Sequence, residues 1–426
     1  MLMLLTLAVV LFTLMFLAVP IAIALGLASV VVILVWGTPG FVLAQKMVNG
    51  IDSFPLLAVP FFILAAAIMN SGGITTRIVD LLGSAMGRLR GSSGQVNIGT
   101  NLFLAGISGS SVADASATGA LLIPEMKKEG YSGAFAAALT ATAALLGPIL
   151  PPSIPLIIYG VIAEVSIVKL FIGGYIPALM IVVALAIFVD RYARKHDLPR
   201  RGRQSATVIW QKFRVSVWAM SMPILLIVGA RGGFFTVTEI GAVLVVYAIF
   251  VGWVLHREFR WGNLPSILKD AGMQTANIML VVAASSFVAY LMVVHGVPKD
   301  LSRWIQEAQL SPVAFLLMIN VVLLIAGAFL DSTPATIIIV PIVLPSAVAL
   351  GIDPVHFGLI VVVNLMIGLI HPPMGLNLLI TQSIAKEPMG AILKDSIPLL
   401  GIMLVILMLV TFIPATVLWL PRVLGM

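Results

Sequence analysis

The feature that most constrains this chain is a succession of long apolar runs carrying almost no charge. Residues 176–189, 215–228, 240–255 and 399–420 are apolar nearly throughout. A helix needs about 20 such residues to cross the hydrocarbon core, and roughly ten to twelve segments of this kind can be marked, some short or interrupted. Only 10% of the residues are charged, where a water-soluble globule carries roughly 25%. The runs do not alternate in polarity as barrel strands do. The expected fold class is all-α integral membrane.

The chain has no cysteine, which excludes disulfides, thiol catalysis and cysteine metal sites. Its first Lys or Arg is Lys46; a cleaved signal peptide wants a basic start, so residues 1–18 read as a retained span. The formal charge of +7 is unevenly spread. Arg191, Arg194, Lys195, Arg200, Arg201, Arg203, Lys212 and Arg214 crowd residues 190–214. The positive-inside rule makes this a cytoplasmic loop, facing lipid headgroups rather than nucleic acid.

An internal repeat is the second constraint. A shift of 221 residues aligns Gly106 with Gly327, Pro124 with Pro345, Gly130 with Gly351, Gly147 with Gly368, Pro151-Pro152 with Pro372-Pro373 and Ile176-Pro177 with Ile397-Pro398. No gap is needed. Glycine and proline fix backbone breaks, so shared breaks imply shared architecture. The first copy continues from Pro124 through the charged Glu125 to Glu129, the second from Pro345 through the neutral 346–350. Lys127 and Lys128 inside and Ala347 outside fit the basic loop, which implies inverted copies, as in many secondary transporters.

Each copy opens with a re-entrant helical hairpin. The first has arms near 91–101 and 113–123 around a tip at Gly106 to Ser111; the second has arms at 312–327 and 335–344 around Leu330 to Pro334. Non-helical backbone at mid-membrane is tolerated only when buried in protein or lining a wet cavity. A close-packed interface of small residues is the bland alternative; Asp114 and Asp331 beside the tips favour a site. A broken helix follows each hairpin, at Gly147 to Pro152 and at Gly368 to Pro373. Paired prolines free carbonyls that a cation can use, and helix N-termini at the same level favour anions.

A charge at the bilayer centre costs about 2.5–3.5 kcal/mol on insertion scales. Asp114 and Asp331 are therefore either cation ligands or hydrogen-bonded tip stabilisers. His371 is either a site residue or a packed neutral histidine, and Asn377 is a site amide. Asn101 and Asn364 either bridge helices or serve the site. Glu164, Lys169, Lys299 and Arg303 belong to the outer interface, and Glu239 caps a helix. The chain holds no phosphate-binding G-x-x-x-x-G-K-[ST], no H-E-x-x-H and no G-x-S-x-G, and its few acids do not converge as an enzyme would require. No soluble stretch is long enough for a substrate-catching domain.

Several segments then carry a resemblance. Ser108 to Ser116 with Leu122 to Met126 and Gly130-Tyr131 resembles the first hairpin of the large permease subunits of TRAP (tripartite ATP-independent periplasmic) transporters. Gly147 to Pro155 is similar to that family's first break. Phe235-Thr236-Val237-Thr238-Glu239 resembles its F-T-P-T-E element, with Val237 in place of proline. Gly351 to Pro354 and Gly368 to Asn377 match its second half. The likeness spans essentially the whole chain.

The resemblance implies a sodium-driven, ATP-independent importer of organic anions in the bacterial inner membrane, with C4-dicarboxylates, sialic acid and other sugar acids all compatible. It implies two separate partners, a small membrane subunit and a periplasmic binding protein. It also implies an elevator, with residues 91–165 and 312–386 moving as a transport domain. Residues 1–90, 166–311 and 387–426 would then be scaffold. Sodium, the coupling ion, is expected at Ser108, Gly109, Ser110, Ser111, Asp114, Gly147, Pro148 and Pro151, and at Asp331, Ser332, Thr333, Gly368 and His371. No other cofactor is expected. The substrate carboxylate is expected between the tips, at Ser110, Ser111, Pro152, Ser153, Ser332, Thr333, Pro373, Gly375 and Asn377. The alternative is a stand-alone sodium- or proton-coupled carboxylate carrier.

Overall fold

A computed structural model describes the chain except Met1, Thr38, Arg201, Arg203, Gly233, Phe234 and Met374. Arg201 and Arg203 of the basic loop, and Met374 within the second break segment, thus lie outside the described residues, as do Gly233 and Phe234, which lead into the element at 235–239. The described residues form α1 (Leu2–Phe16), α2 (Ile21–Trp36), α3 (Gly40–Ile51), α4 (Ala58–Ser71), α5 (Ile74–Met86), α6 (Ser92–Ser108), α7 (Ser111–Lys128), α8 (Gly133–Ala143), α9 (Ile154–Ile162), α10 (Ile167–Gly173) and α11 (Tyr175–Lys195). They continue as α12 (Ala206–Met220), α13 (Met222–Arg231), α14 (Val237–Phe250), α15 (Leu264–Val294), α16 (Val297–Glu307), α17 (Pro312–Phe329), α18 (Ser332–Ala349), α19 (Pro354–Gly368), α20 (Leu376–Ala385), α21 (Met389–Phe412) and α22 (Ala415–Val423).

Among the described residues seven helices are long and apolar enough to cross a bilayer, or eight if the bent pair Ala206–Trp218 and Met222–Gly229 is one span. The other apolar segments are shorter helices. Two expected spans are interrupted. The run at 215–228 bends by 44° between α12 and α13, where Pro223 lacks the amide that would continue the helix. The run at 399–420 ends at Phe412, and Pro414 precedes a separate α22.

The repeat is written in the helix bounds. α7 and α18 begin and end 221 residues apart, as do the starts of α8 and α19. The same shift carries α5 onto α16, α6 onto α17, and the span of α10 and α11 onto α21, each to within a few residues. Packing crosses between the copies. α20 rests on α7 and α8, and in the matching places α9 rests on α18 and α19.

The first hairpin is tighter than its sequence suggests. α6 runs through Gly106 to Ser108, so only Gly109 and Ser110 form the turn. Gly106 lies within the helix, and Pro223 of α13 packs where its side chain would stand. At the hairpin base, Glu129 accepts from Ser92 Oγ at 3.2 Å and from Ser93 N at 3.0 Å, placing a carboxylate on the start of α6 where the helix dipole favours it. Lys127 bonds Glu387 at 2.9 Å and the Ala385 carbonyl at 3.1 Å, tying this base to the end of α20. α11 is fastened to the same body. Gln95 donates to the Ala186 carbonyl at 2.8 Å, and Tyr192 stacks on Phe135.

Candidate functional site

Two hairpin turns and two breaks are present where the sequence places them, and the first pair is brought together closely. Gly109 has a positive φ of 61°, a conformation that suits glycine. Its Cα lies against the Pro152 carbonyl, leaving no room for a side chain. A methyl built on Gly147 would lie 2.7 Å from Asp114 Oδ2 and 3.1 Å from the Ser110 carbonyl carbon. Tip and break are thus in backbone contact, and every residue from Ala144 to Ser153 is buried.

Within this contact Asp114 is buried. Its Oδ1 accepts from Ser108 Oγ at 2.5 Å, while Oδ2 has no hydrogen-bond partner. Ser110 caps α7, accepting from Ala113 N at 3.4 Å. Ser153 donates to the Pro148 carbonyl and accepts from Leu156 N at 3.2 Å, so its hydroxyl holds the break and caps α9. Among the described residues no backbone amide donates to the carbonyls of Gly147, Leu150, Pro151 or Pro152. Buried acceptors without donors are costly, about 1–3 kcal/mol each, unless a cation or water takes them.

Asn377 joins this tip from the other copy. Its Nδ2 donates to Ser111 Oγ at 2.5 Å and to the Ala141 carbonyl at 3.1 Å, and its Oδ1 is buried without a partner. Ser111 opens α7 and Asn377 is the second residue of α20. With Pro152 against Gly109, the N-terminal ends of α7, α9 and α20 therefore meet in one place. Asn377, one turn past the second break in sequence, thus reaches the first tip in space.

The second hairpin meets its break differently. Gly327, two residues before the end of α17, lies against the Gly368 backbone. Ser332 and Thr333 are buried, whereas Asp331 at the turn is exposed. Among the described residues no hydrogen bond links Asp331, Ser332 or Thr333 to Gly368–His371. Pro372 and Pro373 are exposed, and His371 carries a buried Nδ1 without a partner. Gly375 opens α20 at a positive φ of 47°. Both Pro-Pro bonds, at 151–152 and 372–373, are cis. Shifting by 221 places Ala335 opposite Asp114, Leu150 opposite His371 and Leu156 opposite Asn377. The two sites share a backbone and differ in chemistry.

The remaining polar residues sort themselves. Asn364 Nδ2 donates to Asn320 Oδ1 at 2.7 Å, bridging α19 and α17. Asn101 donates to Asn97 Oδ1 at 2.8 Å and accepts from Thr118 at 3.4 Å. Asn97 in turn reaches Thr140 at 2.6 Å. Asn97, Thr118 and Thr140 escaped the sequence reading. The signal for Asn97 and Thr118 was the four-residue spacing with Asn101 and with Asp114, which puts each pair on one helix face; Thr140 had no such local signal. Glu239 completes a capping box with Thr236, and Glu164, Lys299 and Arg303 are exposed.

Comparison with known proteins identifies the family. A model described as "Tripartite ATP-independent periplasmic transporter, DctM component" fits residues 8–416. The chain belongs to this TRAP transporter family. It is 38% identical over 405 residues to the C4-dicarboxylate TRAP transporter large permease protein DctM of Pseudomonas aeruginosa, covering 95% of each chain. It is 37% identical over 382 residues to the sialic acid TRAP transporter large permease protein SiaM of Vibrio cholerae, covering 89% of each. In fold it is similar to the YdaH transporter of Alcanivorax borkumensis, with a TM-score of 0.62 at 16% identity over 87% of each chain. As a DctM-family permease the chain is a multi-pass inner-membrane component of a tripartite transporter, not an enzyme.

Proposed function

We propose that this permease is the large membrane subunit of a sodium-coupled importer of organic anions that works with a small membrane subunit and a periplasmic binding protein. The observation that carries the reading is the meeting of three helix N-termini at the first tip, through Ser111, Asn377 and the Gly109–Pro152 contact. Such ends favour anions, and the buried unpartnered atoms beside them suit a desolvated carboxylate and its counter-ion. Relatives named for C4-dicarboxylate and sialic acid transport support that substrate class. The tripartite family supports the two partners.

Sodium, as co-transported cargo, would take the Gly147 to Pro151 carbonyls with Ser108 to Ser111 and Asp114. A second ion would take Asp331, Ser332 and Thr333 with Gly368 to His371. The substrate carboxylate would lie between, reached by Ser110, Ser111, Pro152, Ser332, Thr333, Pro373, Gly375 and Asn377, with Ser153 holding the break. An elevator would move residues 91–165 and 312–386 as one inverted pair. Residues 1–90, 166–311 and 387–426 would be the scaffold it moves against, with α10 and α11 packing on α19, α6 and α21. Membrane potential supplies about 2.3 kcal/mol per net charge per 100 mV, so sodium in excess of substrate charge makes uptake concentrative.

The test is uptake of labelled substrate into proteoliposomes holding the permease and its small subunit, under an inward sodium gradient. The binding protein is present or absent. Uptake that needs both sodium and the binding protein supports the proposal. Sodium- or proton-driven uptake by the permease alone would establish the stand-alone carrier instead.

A further inference from the structure

We propose that the cleft between α6, α11 and the α12–α13 arm binds an anionic phospholipid, with one acyl chain in the cleft and the phosphate on Arg214. The cleft encloses about 610 Å³, and Gly106 and Pro151 are among the residues that line it. Among its lining residues only Tyr175 and Ser221 carry a hydroxyl. That of Ser221 is already used by the Trp218 carbonyl at 2.8 Å and Tyr247 at 2.5 Å. A carboxylate entering here would lose its hydration without replacement, which is strongly unfavourable. A hydrocarbon chain loses nothing.

Position and charge identify which hydrocarbon. Leu179 and Ile224, on facing sides of the cleft, are 58% and 61% exposed, so it opens on the lipid-facing surface of a membrane protein. Phe213 lines it, and the next residue, Arg214, is exposed and has no ion pair among the described residues. Arg191 and Lys195, near the end of α11, belong to the same basic stretch of sequence, while Arg194 beside them pairs with Asp190 at 2.9 Å. Basic residues at the bilayer surface attract anionic headgroups, about fivefold in affinity for each. A zwitterionic lipid would gain little. The acyl chain would touch Pro151 of the first break and Gly106 of the first hairpin, so a bilayer lipid would share a wall with the proposed sodium site.

The experiment uses the full permease, delipidated and reconstituted in phosphatidylcholine vesicles containing phosphatidylglycerol with a photoreactive acyl chain. Crosslinks are expected in the peptides spanning 102–106 and 213–227. Labels confined to outward faces such as those of α14 and α17 would overturn the proposal. Loss of cleft labels when the small subunit is added would also overturn it, by assigning the cleft to a partner helix. Native mass spectrometry supplies the second readout. Arg214→Gln should lower the preference for phosphatidylglycerol over phosphatidylcholine by about fivefold, and Val217→Trp should lower retention of both. An unchanged preference, or unchanged retention in a Val217→Trp protein of normal thermal midpoint, would sink it. Because these readouts follow lipid and not uptake, they stand or fall apart from sodium coupling.

Discussion

Asn377 Nδ2 lies 2.5 Å from Ser111 Oγ across 266 residues of sequence. This one bond closes the first hairpin tip of one copy onto the broken helix of the other, and it fixes the geometry on which the substrate proposal rests.

Removing that bond should show in transport before stability. A buried hydrogen bond contributes about 1 kcal/mol net, but removing one partner and leaving the other orphaned costs about 1–3 kcal/mol. Asn377→Ala should therefore lower uptake roughly 10- to 100-fold, and Ser111→Ala less. The double variant should be no worse than Asn377→Ala alone, because contacting residues are not additive. Uptake rates in proteoliposomes for the four proteins check this; strictly multiplicative losses would separate the two residues.

The tip–break contact at Gly147 has no room for a methyl. Gly147→Ala places a Cβ 2.7 Å from Asp114 Oδ2 and should push tip and break apart, abolishing sodium-driven uptake. Gly401→Ala adds a methyl in open space on α21 and should leave uptake unchanged. Both variants are compared at equal reconstituted amount.

Asp114→Asn keeps an acceptor for Ser108 but removes the charge. A unit charge pair at ~4 Å contributes about 4 kcal/mol at an effective dielectric of ~20. Half-maximal sodium for uptake should thus rise at least about tenfold. A sodium titration identical to the parent protein would take Asp114 out of the ion site.

In the segment between α14 and α15, Glu258 bonds Arg77 through Nη2 at 2.5 Å and Nη1 at 3.1 Å. The hydrogen bonds from Arg77 hold the Glu258 carboxyl below its ordinary value. A carboxylate whose pKa is lower in the folded state stabilises fully above the unfolded value, about 4.3, and loses that contribution as pH falls through the folded one. The pair is partly exposed, so the effect is small. Between pH 6 and pH 3 the thermal midpoint in detergent should fall further for the parent protein than for Glu258→Gln. Equal slopes would remove this pair from the pH dependence.

Much of this site could be read without coordinates, because breaks are local. Gly109, Gly147 and the two Pro-Pro pairs announce where helices stop, and a gapless shift of 221 residues exposes the duplication. Partners are not local. Nothing in the spacing of Asn377 points to Ser111, since the contact depends on helices swapping neighbours between copies. The reach of α6 through Gly106 was hidden for the same reason. The glycine looks like a break in sequence, yet it is a seat for Pro223. The α12–α13 bend was hidden inside an apolar run that hydropathy alone reads as continuous. Asp331 and Asp114 each stand beside a hairpin tip in sequence, and only packing reveals that one is exposed and the other buried.

The crossed packing also sets an order of assembly on the ribosome. Chains are made from the N-terminus, and early domains commonly fold as they emerge. Here the first hairpin would wait for its partner. Ser111 and the Ala141 carbonyl await an amide made 266 and 236 residues later, and unsatisfied polar groups cost several kcal/mol in hydrocarbon. Until Asn377 leaves the ribosome, the half-made transporter holds an open polar tip. The last ninth of the chain therefore completes the folding of its first third, and a truncation there would damage a site far from the cut.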